Sequence, residues 1–193
     1  MDIPILAYTA SFIAMALIVV GYFVKNKTGY LLFQFLGIIF LIFSYFFSVA
    51  FVAMIGLIIG LFRTLTYFLY ERKNKLAPLF WPFLFSALSI LGYFAANYIE
   101  NSSGRLLDIM CVLALCMYAF TFRIKDFRVL KFATLVPTTL SILYNILIFA
   151  PVFNTLSYSF ELGANILSII LYYKAFNREK IIPFKKEKTN EQN

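Results

Sequence analysis

Seven long apolar segments, separated by short polar or basic loops, dominate the pattern of this chain. Each has about the 17–25 residues that an α-helix needs to cross a lipid bilayer. Because the second and third segments together are too long for one such helix, a tight turn is predicted near Ser48. The pattern predicts an all-α fold, a polytopic membrane helical bundle with seven transmembrane helices over residues 3–24, 30–47, 50–70, 79–99, 105–122, 127–149 and 155–176.

The composition indicates the same class. The sequence is 62% hydrophobic and 13% charged, with a mean hydropathy of +0.85, outside the range of soluble domains. It contains no histidine, which excludes histidine-based metal sites, catalytic triads and proton relays. Cys111 and Cys116 point to different sides of one predicted helix and are interpreted as buried thiols. We therefore expect no enzyme active site, no metal and no cofactor.

Basic residues are confined to alternate loops, while the opposite loops hold Arg105 alone, next to Asp108 in a predicted surface pair. The positive-inside rule then places the N-terminus outside and the C-terminus in the cytoplasm. Residues 1–176 are expected to form the transmembrane domain and residues 177–193 a basic cytoplasmic tail. Membrane lipid is the expected partner, and nucleic acid is not, although the net charge is +8. The clustered residues are Lys25, Lys27, Arg72, Lys73, Lys75, Arg123, Lys125, Arg128, Lys131, Arg178, Lys180, Lys185, Lys186 and Lys188.

An odd number of spans has a consequence for the architecture. Spans one to three and five to seven run in the same sense, with span four as an inverting linker, which is a possible 3+1+3 parallel-repeat arrangement. No residue-level repeat between the two halves is evident in the sequence. Because receptors and intramembrane enzymes also have seven spans, the number of spans leaves the mechanism open.

Arg63 is the one charge between residues 30 and 70, and a cation at that depth costs roughly 2.5–3.5 kcal/mol on insertion scales. Gly56, Gly60 and Thr64 form a small-residue face for close helix packing, and Arg63 lies on or beside that face. We therefore expect Arg63 to point into the bundle or line a cavity. The alternative is that its side chain extends to the inner interface.

Polar stripes on the other spans supply the remaining candidate binding residues, Gln34, Asn145, Glu161 and Asn165. Helix-to-helix hydrogen bonding is the alternative role for each of them. Glu161 is the natural counter-charge or proton site for Arg63. Because the two backbones are expected to differ by roughly 11 Å in height, a network bridged by Asn165 is favoured over a direct pair.

Three patches resemble a known family. They are segments 165–170 and 181–188, Arg63 late in span three before a basic loop, and Tyr144 with Asn145 late in span six. These patches resemble the YgjV-type bacterial inner-membrane proteins, which look distantly like the SWEET and PQ-loop group. The chain departs from that wider group in having no Pro-Gln pair. The resemblance implies a multi-pass protein of the bacterial inner membrane.

The sequence as a whole favours a membrane protein that transports or binds a small solute in a cavity between spans 2, 3, 6 and 7. Arg63 favours an anionic or zwitterionic solute, because its planar fork pairs well with carboxylate or phosphate. The competing interpretation is a non-transporting sensor or accessory subunit in which Arg63 and Glu161 are structural. Both interpretations are compatible with a homo-oligomer.

Overall fold

Helices account for all the regular structure in the part of the chain that the computed structural model describes, residues 3–47, 51–100, 107–147 and 152–181. The all-α prediction is confirmed, and no strand occurs in those ranges. Ser48, Arg105 and residues 182–193 lie outside them. The helices are α1 (Ile3–Phe23), α2 (Lys27–Phe47), α3 (Phe51–Arg72), α4 (Phe80–Glu100), α5 (Asp108–Thr121), α6 (Phe127–Leu147) and α7 (Val152–Ile181).

Five of these helices, α1 to α4 and α6, are long and apolar enough to cross a membrane. The apolar helix α5 has 14 residues, about 21 Å, which is shorter than a hydrocarbon core of about 30 Å. Helix α7 has 30 residues and continues past the predicted domain boundary at residue 176. The protein is therefore a membrane-type helical bundle whose fifth helix is shorter than the sequence predicted.

Short polar motifs begin two of the helices. The Asn26 side-chain oxygen accepts the Gly29 N–H at 2.8 Å before α2. The Asp126 carboxylate accepts the Arg128 N–H at 2.8 Å at the start of α6. Asn and Asp are favoured here because they satisfy backbone N–H groups that have no partner within the helix. Both helices therefore start where the basic loops end.

Basic residues gather at one end of the bundle. Lys27 and Glu71 form a 2.8 Å salt bridge that joins the start of α2 to the end of α3. The Lys131 ammonium donates to the Tyr22 carbonyl at 3.0 Å and joins the start of α6 to the end of α1. We call this the basic end, and it comprises Lys25, Lys27, Arg72, Lys73, Lys75, Arg123, Lys125, Arg128 and Lys131.

The helices form a closed ring with one helix outside it. In the first half, α1 packs on α2 and α2 on α3; in the second half, α5 packs on α6 and α6 on α7. The halves meet through α1 with α7 and through α3 with α5. Exchanging α1, α2 and α3 for α5, α6 and α7 reproduces this set of contacts. Helix α4 has its main contacts with α3 and α5 and has no counterpart.

Burial follows the same correspondence. When 100 is added to the residue numbers of α2, every buried position of α6 coincides with a buried position of α2. Gly37, for example, corresponds to Pro137. A shift of 101 relates α3 to α7 in the same way and takes Gly60 onto Glu161. Under these shifts the buried pairs of α2 with α6 are 30/130, 31/131, 34/134, 37/137, 38/138, 44/144 and 45/145, and those of α3 with α7 include 56/157, 60/161, 63/164, 64/165 and 67/168.

Candidate functional site

A small cavity lies at the centre of the ring and is lined by every helix except α4. Its volume is about 50 Å³. Four of the five predicted binding residues, Gln34, Arg63, Asn145 and Glu161, are on its wall, and Asn165 is not. The structure therefore brings these four side chains together around one space, to which α1 and α5 also contribute.

Arg63 points into the bundle, with 4% of its surface exposed. One guanidinium nitrogen donates to the Leu115 carbonyl of α5 at 2.8 Å, and the group lies over the rings of Tyr118 and Phe122, 5.4 and 5.1 Å from their centroids. A Cβ atom on Gly60 would be 3.4 Å from the Arg63 guanidinium. The side chain therefore folds back toward the start of α3, away from the basic end, which excludes the extended interfacial alternative. Its Nε–H has no hydrogen-bond partner among the described residues.

Glu161 is 3% exposed and reaches the same cavity from α7. The Tyr22 hydroxyl donates to its carboxylate at 2.7 Å, and the Tyr30 hydroxyl donates to Tyr22 at 3.2 Å. Gln34 is adjacent on the cavity wall, where its side chain interacts with the Glu161 carboxylate although Nε2 makes no hydrogen bond of 3.5 Å or less in the part of the chain described. Hydrogen-bond donors without a protein partner are expensive in a buried site, so they mark places where water or a ligand fits.

Arg63 and Glu161 do not form a salt bridge, since the ion pair found among the described residues is at the basic end. Aromatic side chains stand between them: the Tyr30 ring lies 5.1 Å from Tyr22 and 6.1 Å from Phe122. The two opposite charges therefore face one cavity while each is bonded to the other half of the bundle, Arg63 to Leu115 of α5 and Glu161 to Tyr22 of α1.

Asn165 does not bridge Arg63 and Glu161, and that prediction was wrong. Its side-chain amide donates to the Lys131 carbonyl at 2.8 Å and to the Thr134 hydroxyl at 2.9 Å. Because both acceptors are on α6, the amide is used to join α7 to α6. Asn165 is fully buried, and its Oδ1 has no partner in the described residues. Its position favours the alternative interpretation, helix-to-helix hydrogen bonding.

Asn145 accepts a 2.5 Å hydrogen bond from the Tyr45 hydroxyl, and both side chains line the cavity. Its own amide donates to the Ser141 carbonyl at 2.7 Å. Tyr45 and Asn145 are equivalent positions under the shift of 100 residues, so this bond joins α2 to α6 across the centre of the ring. It lies on the cavity wall near the ends of α2 and α6 that are away from the basic end.

Asp108 corrects a second prediction. A surface pair with Arg105 was expected, but Asp108 is 4% exposed and accepts a 3.0 Å hydrogen bond from the Tyr144 hydroxyl. The first turn of α5 packs against the last turn of α6, which removes the carboxylate from the surface.

Sequence reasoning missed a polar cluster near the far end of the bundle. The Ser11 hydroxyl lies 2.6 Å from that of Ser44, and both donate to the Asn154 side chain. It also missed the tyrosines, which are apolar by composition and yet provide most hydroxyl groups around the cavity. Their recurrence at buried helix positions was the available signal. The tyrosines concerned are Tyr22, Tyr30, Tyr45, Tyr118, Tyr144 and Tyr158.

In this conformation the cavity has room for no more than a few water molecules. Sites for drug-sized ligands are larger, with volumes of about 300–1,000 Å³. What the cavity offers chemically is a buried guanidinium, a separate carboxylate and amides, enclosed by aromatic rings. No protein-family model, no curated protein and no solved structure matches this chain.

Proposed function

We propose that this chain is a seven-span membrane protein that binds a small anionic or zwitterionic solute in the central cavity and carries it across the membrane. The observation that carries the proposal is that Arg63 and Glu161 face one enclosed space without pairing with each other. Two opposite charges buried apart are costly in lipid surroundings unless something else satisfies them. A solute with a carboxylate or phosphate, and in the zwitterionic case an amine, would satisfy both.

Arg63 is the group that would bind the anionic part of the solute. Its Nε–H has no hydrogen-bond partner among the described residues, and the Gln34 amide lies on the same cavity wall. Glu161 would bind a cationic part or act as the proton site. Asn145 would contact the solute from α6 only if its bond with Tyr45 opens. We place Asn165 in the supporting structure.

The exchange of helix contacts between α1–α3 and α5–α7 supports a 3+1+3 parallel repeat. In such transporters the solute site lies between the two halves, and the halves move against each other. The cavity here lies between the halves and contains one charge from each. A conformation with room for solute then requires the halves to separate at one end. The resemblance to YgjV-type inner-membrane proteins is part of this proposal.

A second candidate is supported by the cavity volume of about 50 Å³. A sensor or accessory subunit would need only waters in this space, with Arg63 and Glu161 holding the helices. The two candidates differ in whether any solute stabilises the protein through Arg63.

A thermal-shift screen separates the candidates. Small carboxylates, phosphates and amino-acid zwitterions would be tested on wild type, Arg63→Ala and the control Lys75→Ala, which removes an exposed cation at the basic end. A solute at 100 times its Kd should raise the Tm of wild type and the control by about 5–10 °C. Arg63→Ala should lose this shift. Equal shifts in all three proteins would contradict the proposed site, and no shift with any solute would favour the second candidate.

The proposed orientation has its own test. We expect the basic end in the cytoplasm because lysines and arginines are retained on that side. A reporter fused after residue 193 should be active only in its cytoplasmic form. Activity of a periplasmic reporter at that position would overturn the orientation and leave the cavity unaffected.

A further inference from the structure

A large crevice opens at the basic end between α1, α6 and α7. Its volume is about 680 Å³, well above that of the central cavity. Tyr22 forms its inner limit and also donates to Glu161, so this tyrosine separates the crevice from the central cavity. We call this space the basic crevice, and its lining includes Lys25, Asp126, Phe127, Arg128, Lys131 and Tyr172.

The charges of the basic crevice favour an anion. Lys25, Arg128 and Lys131 line it against one acid, Asp126. The Asp126 carboxylate is engaged with the α6 backbone through the Arg128 N–H. Lys131 is 8% exposed and gives one of its three N–H groups to the Tyr22 carbonyl. Neither Lys25 nor Lys131 has a carboxylate within salt-bridge distance in the described residues.

The equivalent crevice in the first half is smaller and is partly filled by the loop before α4, and we call it the closed crevice. It lies between α2, α3 and α5, has a volume of about 160 Å³ and includes Lys125, the counterpart of Lys25. Its acid, Glu71, is paired with Lys27, and the loop before α4 fills it up to Ala77, whose carbonyl accepts the Arg123 Nε–H at 2.9 Å. Glu71 corresponds to Tyr172 in the second half. The basic crevice has no such loop on its wall among the described residues, and it is the larger of the two.

The walls of the basic crevice combine cations with apolar side chains that face outward. Phe23, Phe132 and Leu171 are 47%, 44% and 49% exposed, and all three line it. Arg128 stacks on Tyr172 at 4.6 Å from the ring centroid, which holds the guanidinium at the edge of this apolar surface. A free inorganic anion would use only the cations, whereas a phospholipid would use both features.

We propose that the basic crevice binds one anionic phospholipid, with the headgroup phosphate at Lys25, Arg128 and Lys131 and an acyl chain along Phe132 and Leu171. Basic pockets between membrane helices on the cytoplasmic side bind anionic headgroups in this way. The lipid would complete the wall that the loop before α4 completes in the first half. This proposal is independent of solute transport and requires only that the bundle lies in a membrane.

Native mass spectrometry with phosphatidylglycerol and phosphatidylcholine tests the site. Wild type should retain one phosphatidylglycerol in preference to phosphatidylcholine. The double variant Lys25→Gln/Arg128→Gln should bind it at least fivefold more weakly. The matched control, Lys75→Gln/Lys125→Gln, removes the same charge beside the closed crevice and should change binding less than twofold.

If phosphatidylglycerol binding is weakened equally in the two double variants, the attraction is a diffuse electrostatic one, and the proposed site is overturned. Displacement of the lipid by millimolar glycerol phosphate or inorganic phosphate would show a site for a soluble anion and also overturn it. As a second variant, Leu171→Asn keeps all three cations and removes apolar surface without adding a charge. It should weaken phosphatidylglycerol binding, and unchanged binding would contradict the acyl-chain position. All variants should keep the wild-type Tm in phosphatidylcholine.

Discussion

The first and second halves of this bundle use the same arrangement of helices for different chemistry. In the first half, the α3 position that corresponds to Glu161 is Gly60, where a Cβ atom would be in van der Waals contact with the guanidinium of Arg63. In the second half, the position that corresponds to Arg63 is Ala164. Each half therefore contributes one charge and leaves a small residue where the other has its charge. The polar character of the cavity therefore depends on both halves.

The ends of the two halves differ as well. An ion pair, Lys27 with Glu71, and the loop before α4 close the first half at the basic end. The equivalent positions in the second half are Phe127 and Tyr172, and the space between α1, α6 and α7 is open. The asymmetry indicates that the two halves are not interchangeable where the protein meets the membrane surface.

The largest loss of stability is expected from a change in the packing of α2 on α1. A Cβ atom on Gly37 would lie 2.6 Å from Ile18 Cγ1 and 3.4 Å from the Ala14 carbonyl. Gly37→Leu should therefore lower the free energy of unfolding by about 3 kcal/mol, as overpacking does. Gly163→Leu is the control, because nothing lies within 4 Å of its Cβ position. Unfolding in mixed micelles measures both, and equal losses would contradict the close approach of α1 and α2.

A smaller loss of stability is expected when the hydrogen bond between Tyr45 and Asn145, which joins the two halves, is removed. Tyr45→Phe removes the hydroxyl that donates to Asn145 and leaves a buried oxygen without its donor. The loss should be about 1–2 kcal/mol, measured by the same unfolding titration. Tyr98→Phe is the matched control, since Tyr98 is 88% exposed. A Tyr45→Phe protein as stable as the control would show that this contact does not join α2 to α6.

The smallest effect is expected at the closed crevice. Lys27→Gln removes the salt bridge with Glu71, whose side chain is 25% exposed while that of Lys27 is 6% exposed. Because solvent reaches the carboxylate and a glutamine amide can still donate to it, the loss should be about 1 kcal/mol and should shrink in high salt. Phe127→Gln, the equivalent change in the second half, should show no salt dependence. A salt-independent loss for Lys27→Gln would mean that packing and not charge holds this end.

The helices and their order could be predicted from the sequence because apolar length and basic loops both report on the membrane. Burial of Arg63 and Glu161 followed from their cost in lipid. The correspondence between the halves could not be predicted from the sequence, because equivalent positions have unlike residues, such as Tyr45 and Asn145. Equivalent positions are alike in being buried, but they do not have the same amino acid.

Hydrogen-bond partners were the least predictable feature. Helical spacing gives the face on which a side chain lies but not the neighbouring helix, so Asn165 was assigned to Arg63 and in fact contacts α6. Asp108 appeared to be at the surface because the contact of α5 with Tyr144 depends on tertiary packing. Tyrosine counts as hydrophobic in the composition, although Tyr22 provides the hydroxyl bonded to Glu161.

The most direct test of the central claim, that the two halves place opposite charges around one cavity, is a double-mutant cycle of Arg63→Ala and Glu161→Gln. Removing one charge leaves the other buried without compensation, so the double variant should be more stable than additivity predicts, by at least about 0.5 kcal/mol in unfolding free energy. A parallel cycle of Arg63→Ala with Glu71→Gln, whose carboxylate pairs with Lys27, should be additive. Additivity in both cycles would show that Arg63 and Glu161 are independent and would contradict the shared site.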